Sequence, residues 1–236
     1  VLDSGAKQLY YQGNKEERMK IKWYGHSSFL ITTGNGTRII LDPYQSGAFG
    51  GALTYGKIAE AADIVLSSHD HDDHNYVGDI KGKFTLINTP GDHRESGVTI
   101  RGIPTFHDAS GGRERGLNII YIIEADDIRV AHLGDLGHVL DGDMVKKLGR
   151  IDVLLTPVGG FYTIDPAEAT KIVNDIKPAV TIPMHFKTDK CDFPIAPVTE
   201  FTKGKSGVKE AGTTEVDVAR SNLASLGEIV VLRHAL

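Results

Sequence analysis

The sequence has few of the residues that crosslink a chain or anchor it in a membrane. Its single cysteine, Cys191, permits no intramolecular disulfide and excludes a cysteine-rich zinc site. No apolar run approaches the roughly 20 residues that span a bilayer, and the N-terminal stretch lacks an apolar signal region. We therefore expect a cytoplasmic protein without a membrane span.

An excess of positive charge is absent as well. The formal net charge is -5, so we expect no nucleic-acid partner. Charged residues make up 24% of the chain and hydrophobic residues 40%, which is typical of an ordinary globule. The length predicts a single domain over residues 19–236. Residues 1–18 are polar and aperiodic, which indicates a weakly ordered leader or expression remnant, with an extra packed helix as the alternative.

Side chains that bind metals are concentrated in residues 64–75, IVLSSHDHDDHN. The first three residues form an apolar run that predicts a buried strand. If the chain stays extended, His69 and His71 point to the same face and can reach one ion. Asp73 and His74 follow where we expect a helix to begin, so they can serve a second ion or complete the ligands of the first. The alternative is a solvated polar loop, but the spacing His-x-His-x-Asp-His after a strand is more specific than that.

This spacing resembles the signature of the metallo-β-lactamase superfamily of metal-dependent hydrolases. Six further segments are similar to landmarks of the branch that includes the ascorbate-6-phosphate lactonases: WYGHSSFLI, LDPY, TFHD, AHLGDLGH, LLTPVGGFYTID and IPMHFKT. The resemblance runs from about Met19 to about Thr188. It implies an α/β fold, a four-layer αβ/βα sandwich in which two mixed sheets pack face to face with helices outside.

The resemblance also implies a centre of two divalent metal ions with ligands from distant parts of the chain. The ligands would be His69, His71 and His107 for one ion; Asp73, His74 and His185 for the other; and Asp135 as the bridge. Asp42 would support these ligands by hydrogen bonding, with a turn cap as the alternative. His26 would lie beside the site, and His132 and His138 would have structural or supporting roles.

Nitrogen and carboxylate ligands without a thiolate suit Zn²⁺, and also Mn²⁺, Fe²⁺ or Ni²⁺. Two such ions lower the pKa of bound water towards roughly 7, so a bridging hydroxide could attack a carbonyl or phosphorus. Asp73 could orient this nucleophile and later return a proton. We treat Asp73 and His26 as the candidate catalytic residues.

These features predict a metal-dependent hydrolase of a small ester, lactone or phosphoester. Asp135 stands where some β-lactamases have a cysteine ligand, which argues against that group. Two alternatives remain open, a mononuclear iron dioxygenase and a metal-stabilised binding module without turnover.

Three basic residues are candidates for binding an anionic substrate. Arg113 and Arg115 lie in a glycine-rich loop after His107 and could form bidentate hydrogen bonds, although solvated arginines are the alternative. Lys187 lies two residues after His185 and has the same two interpretations. The glycine-rich, aromatic residues 45–56 could shape a substrate mouth or form an ordinary surface connection.

Local patterns predict several elements. The Gly34-Asn35-Gly36 segment and the Asp126-Asp127 pair predict hairpin turns. A helix should begin with Asp165 as N-cap, followed by proline and a capping-box Glu168, and end before Pro178. The segment NYVGDI, which starts at Asn75, indicates a short helix.

Overall fold

The computed structural model describes residues 18–236, so the predicted leader lies outside the described residues except for Arg18. The strands in chain order are β1 (Met19–Gly25), β2 (Ser28–Thr32), β3 (Arg38–Leu41), β4 (Ile64–Leu66), β5 (Thr85–Ile87), β6 (Gly91–Glu95), β7 (Val98–Phe106), β8 (Leu117–Ala125), β9 (Ile128–His132), β10 (Val153–Pro157), β11 (Val180–Met184), β12 (Val208–Glu210), β13 (Glu215–Val218) and β14 (Ile229–Val231). The helices are α1 (Ala48–Gly51), α2 (Gly142–Leu148), α3 (Pro166–Ile176), α4 (Val198–Thr202) and α5 (Leu223–Leu226). No helix within residues 18–236 has both the length and the apolarity to cross a membrane.

The strands form two mixed sheets. The first has the order β13-β1-β2-β3-β4-β5, antiparallel from β13 to β3 and parallel from β3 to β5. The second has the order β12-β14-β11-β10-β9-β8-β7-β6, antiparallel from β6 to β9 and parallel beyond β9. Both hairpins are confirmed, and Asp126 and Asp127 both have positive φ, as a tight turn with the twist of its strands requires.

The two sheets pack face to face. Alternate side chains of the first sheet, such as Trp23 and Phe29, join a core cluster with buried residues of the second sheet, such as Ile120. The buried hydroxyl of Tyr121 crosses the interface and donates to the carbonyl oxygens of Ser67 and Ile87. The predicted sandwich of two mixed sheets is therefore confirmed.

The layers outside the sheets differ in construction. Helix α3 packs on β10 and buries Ala169 and Ile172, so it covers the second sheet as expected. Its capping box is confirmed, since Asp165 accepts from the N–H groups of residues 167 and 168 while Glu168 accepts from Asp165 N. The first sheet is covered on its outer face by a second cluster in which Tyr44 and Tyr55 belong to loop segments.

The prediction of a helix after the histidine-rich motif is wrong. The N–H groups of His74 and Asn75 both donate to the His71 carbonyl, which forms a single turn. The next N–H, that of Tyr76, donates to Pro43 O at 2.8 Å. Because this bond leads the backbone away from the helical path, the residues after His74 have no helix.

The buried carboxylate of Asp152 allows a test of how much its hydrogen bonds to two arginines stabilise the fold. Asp152 accepts from Arg129 N and from both terminal nitrogens of Arg220. Burial alone would raise the pKa of Asp152, but the bonds from Arg220 and Arg129 outweigh it and lower the pKa. The ionised carboxylate therefore stabilises the fold above the unfolded-state pKa of about 3.9, and this contribution is lost as the pH falls through the folded-state pKa.

We expect Asp152→Asn to reduce the free energy of unfolding by about 2 kcal/mol at pH 7. Urea titrations of both proteins at pH 7 and at pH 2.5, which is below the unfolded-state pKa, would measure the difference, which should shrink at the lower pH. A difference that grows on acidification would contradict this assignment.

Candidate metal centre

The predicted ligands all follow the carboxyl ends of strands. They are His69, His71, Asp73 and His74 after β4, His107 after β7, Asp135 after β9 and His185 after β11. Within the second sheet β7, β9 and β11 run in the same direction, as the pairings through β8 and β10 require. Their carboxyl ends therefore lie at one edge, where residues from both sheets meet.

One group of ligand atoms comes from His69, His71 and His107, and these atoms lie within 4.8 Å of one another. The ring centroid of His69 is 4.6 Å from that of His71 and 4.7 Å from that of His107. His71 is exposed while His107 is buried, so the group opens to solvent on one side. These are the three residues predicted to share one ion.

A second group combines the predicted Asp73, His74 and His185 with His26. His26 is fully buried, and its Nε2 lies 3.0 Å from Asp73 Oδ2. Its ring centroid is 4.1 Å from that of His185. The sequence suggested that His26 lies beside the site as a candidate catalytic residue, and the structure places it within the second group.

Asp135 lies between the two groups. Its Oδ2 is 3.2 Å from His74 Nε2, 3.3 Å from His185 Nε2 and 3.4 Å from His107 Nε2. The backbone N–H of Asp135 donates to Asn118 Oδ1, which fixes the start of this turn. A carboxylate in this position can contact ions in both groups.

Asp42 supports the site from behind. Its Oδ2 accepts from His74 Nδ1 and His132 Nε2, both at 2.9 Å, and from Ser68 Oγ, while its Oδ1 accepts from Ser68 N. Because the hydrogen bond to Asp42 fixes Nδ1 of His74, the other ring nitrogen, Nε2, points towards Asp135 and the proposed metal centre. His138 instead bonds to the backbone at Phe106 and Val139.

A cleft of about 270 Å³ opens onto both groups. Of the basic residues proposed to bind substrate, Arg115 lines this cleft, and its guanidinium lies 5.6 Å from the ring centroid of Tyr162. Arg113 is exposed and is not part of the lining. Lys187 does not line it either, because its Nζ donates to Asp192 Oδ1 and Phe193 O.

Comparison with known proteins identifies the family. The sequence profile of the beta-lactamase superfamily domain matches residues 20–185, most of the chain. The chain belongs to the metallo-β-lactamase superfamily of metal-dependent hydrolases.

Several known proteins are similar to this chain over most of their length. A UPF0173 metal-dependent hydrolase of Archaeoglobus fulgidus is 30% identical over 201 residues, which cover 72% of this chain and 84% of that protein. A Thermotoga maritima crystal structure assigned to the Zn-dependent hydrolases of this superfamily is 36% identical, with a TM-score of 0.73 and coverage of 91% of this chain and 98% of its own. Igni18, a metallo hydrolase of Ignicoccus hospitalis, shares the fold at 23% identity and a TM-score of 0.62, with 92% and 95% coverage.

The residues present fit the metal ions that the superfamily implies. Within residues 18–236, no hydrogen-bond partner reaches the buried atoms His69 Nε2 and Asp135 Oδ1. Burial, reinforced by His74, lowers the pKa of His69 to about 3, so its ring is held in the neutral form that ligates metals. Burial disfavours a charge on His74, but Asp135 and Asp73 outweigh it and raise its pKa well above its usual value. The two carboxylates thus favour a cation at this point.

The backbone around the centre is tightly constrained. His26, Asp42 and His185 all have positive φ, an uncommon conformation for residues with a Cβ and one that recurs at functional sites. Two glycines let neighbouring loops approach the ligands closely. A Cβ on Gly137 would lie 2.3 Å from the backbone of His107, and one on Gly159 would lie 2.2 Å from His185 O.

One residue that shapes the site was missed by the sequence analysis. The carboxylate of Asp108 accepts five hydrogen bonds, from N and Oγ of Ser110 and from the N–H groups of Gly112, Glu114 and Arg115. It folds the loop that carries Glu114 and Arg115 to the edge of the cleft. The available signal was an aspartate two residues before a Ser-Gly-Gly segment, a combination typical of loops closed by side-chain-to-backbone bonds.

Proposed function

We propose that the protein is a dinuclear metal-dependent hydrolase that cleaves a small ester, lactone or phosphoester. The observation that carries this proposal is the position of Asp135 Oδ2, within 3.4 Å of histidine nitrogens from both ligand groups. Each group supplies at least three ligand atoms, as an ion with an open position for water requires.

The ligand assignment follows the two groups. His69, His71 and His107 would hold one ion, Asp73, His74 and His185 would hold the other, and Asp135 would bridge them. We propose Zn²⁺ as the metal, and the same ligand set also accepts Mn²⁺, Fe²⁺ or Ni²⁺. When bound, the ions would polarise the substrate and lower the pKa of water to about 7, which makes hydroxide available at neutral pH.

Asp73 and His26 would transfer the proton between the attacking water and the leaving oxygen. Asp73 lines the cleft, and its Oδ2 is paired with His26 Nε2. The oxygen derived from water would form a bond to the carbonyl carbon or phosphorus, and the bond to the leaving oxygen would break with its electron pair. The Asp73–His26 pair would take the proton that the attacking water releases, and the leaving oxygen would then take that proton from the pair.

Elemental analysis followed by a hydrolysis screen on the same batch tests this proposal. The screen should cover lactones, carboxylic esters and phosphoesters, before and after removal of metal with a chelator. We expect about two metal ions per chain and a turnover that is lost on chelation and restored by metal. One iron per chain with oxygen uptake and no hydrolysis would instead support the dioxygenase, and bound metal without any turnover would support a binding module.

Arg115 is the proposed contact for an anionic group of the substrate. We expect Arg115→Ala to raise KM for a carboxylate-bearing ester by about tenfold, with a small change for a neutral ester of the same length, since a charge-assisted hydrogen bond is lost. Arg113→Ala is the matched control and should leave both KM values unchanged. Equal effects of the two substitutions would count against a specific contact by Arg115.

A further inference from the structure

The wall of the cleft facing the metal ligands is aromatic. Phe49, Tyr162 and Phe193 line it. Phe49 and Phe193 meet edge to face with ring centroids 5.3 Å apart, and Phe193 meets Tyr162 in the same way at 5.7 Å. The three rings therefore form one continuous apolar surface, here called the aromatic wall, and Arg115 lies over its Tyr162 end.

Both the exposure and the backbone conformation of Phe49 are unfavourable for the stability of the fold. Its side chain is 53% exposed, so much of its apolar surface remains in water. Its backbone is left-handed, with φ 54° and ψ 45°, which is unfavourable for a residue with a large side chain. Backbone strain of this kind persists where it serves a functional site. The ring of Phe49 contacts Phe193 on one side, and a ligand in the cleft would bury the side that is exposed.

Exposed apolar residues are concentrated in the chain segments that line the cleft. Of the five large ones that are exposed among residues 18–236, only Leu86 lies in a segment away from the cleft. The other four line the cleft or lie within two residues of a side chain that does: Phe49, Phe106, Leu117 and Phe161. Apolar surface gathered at a cleft marks a binding region more strongly than isolated exposed residues do.

The polar side of the cleft suits a substrate with little charge. Among residues 18–236, Arg115 is the only lysine or arginine in the lining, and Glu114 lies beside it, with Arg115 Nη1 3.9 Å from Glu114 Oε2. A phosphate group is usually held by several cationic or backbone donors. Beyond the proposed metal ions, a cleft of about 270 Å³ in which Glu114 partly neutralises Arg115 offers little to hold more than one negative charge on a small molecule.

We infer that the substrate carries an aromatic ring that packs against the aromatic wall while its ester or lactone bond lies over the metal ligands. This inference rests on the proposed hydrolase function and narrows its substrate class to small aryl esters and aryl lactones. Offset-stacked and edge-to-face contacts would bind the ring, and its burial would cover the exposed face of Phe49.

Calorimetric titration of the zinc-loaded protein with phenylacetate and with acetate tests the aromatic wall without relying on turnover. The two acids share a carboxylate and differ in the ring, so we expect phenylacetate to bind at least about tenfold more tightly. Phe49→Ala should remove most of that preference, and Phe49→Leu should retain part of it. Leu86→Ala is the matched control and should keep the full preference. Equal affinities for the two acids, or equal losses in Phe49→Ala and Leu86→Ala, would overturn the inference.

A kinetic comparison separates this inference from the proposed function. Dihydrocoumarin and δ-valerolactone have the same lactone ring size, and only the first carries a fused aromatic ring. We expect kcat/KM, normalised to each uncatalysed rate, to favour dihydrocoumarin by about tenfold or more in the wild type and much less in Phe49→Ala. Hydrolysis of both without a preference would overturn the inference and leave the hydrolase function standing. Failure to hydrolyse either, together with a retained preference for phenylacetate, would reject the hydrolase function for lactones and leave the ring-binding wall standing.

Discussion

Replacement of His71 by alanine should remove metal and turnover together. His71 belongs to the group with His69 and His107, and it is the exposed member at the cleft. An ion left with His69, His107 and the bridging Asp135 would lose affinity and its geometry. We expect the metal content to fall by about one ion per chain and kcat/KM to fall by about 10³-fold, which corresponds to about 4 kcal/mol of lost transition-state stabilisation.

Asp72→Ala is the matched control for this substitution. Asp72 is the next residue along the chain and is exposed, but its carboxylate belongs to neither ligand group. Elemental analysis and kinetics on the two variants, purified in parallel, would measure the effect. Undiminished turnover in His71→Ala, or equal losses in both variants, would exclude the proposed centre.

The Asp42→Asn variant should weaken metal binding without removing any metal ligand. Asp42 accepts four hydrogen bonds, including one from His74 Nδ1 and one from His132 Nε2. Although burial opposes its charge, the two histidines hold the pKa of Asp42 well below its usual range. An amide has one acceptor oxygen, so some of these donors would face an N–H group. We expect metal affinity to fall by about 10–100-fold and the free energy of unfolding by about 3 kcal/mol.

The Asp152→Asn variant separates the two effects of the Asp42 substitution. Asp152 is also a buried carboxylate that accepts several hydrogen bonds, but its partners are arginines away from the histidines. Competition with a chelating dye would measure metal affinity, and urea titration would measure stability. If Asp152→Asn lowered the metal affinity as much as Asp42→Asn does, the assigned role of Asp42 would be lost.

The sequence predicted the family and the sandwich fold because their signals are local. Apolar runs that end in histidine or aspartate mark strand ends, and strands of the same direction bring those ends to one edge of a sheet. The grouping of His69 with His107 needed only motif order. The assignment of individual ligands, the single domain and a cytoplasmic location stay predictions.

Other features depended on contacts that are distant in sequence. The turn after His74 is set by a bond from Tyr76 N to Pro43 O, which no local pattern indicates. The place of His26 within the second ligand group depends on how β1 and β11 end relative to each other, where His185 N donates to His26 O. The aromatic wall likewise joins residues 49, 162 and 193 from separate segments. For the first of these, within residues 45–56, the sequence left open whether it shapes a substrate mouth or forms an ordinary surface connection.

The origin of the ligands in both sheets has a mechanical consequence. His26 and the motif after β4 follow strands of the first sheet, while His107, Asp135 and His185 follow strands of the second. Apart from these ligands, the two sheets are held together by the apolar core between them. Bound ions would crosslink the two sheets along the edge of the sandwich that carries the ligands. Because only the folded chain assembles these ligands, the melting temperature should rise with free metal concentration. Loss of the ions should loosen that edge before the rest of the protein unfolds.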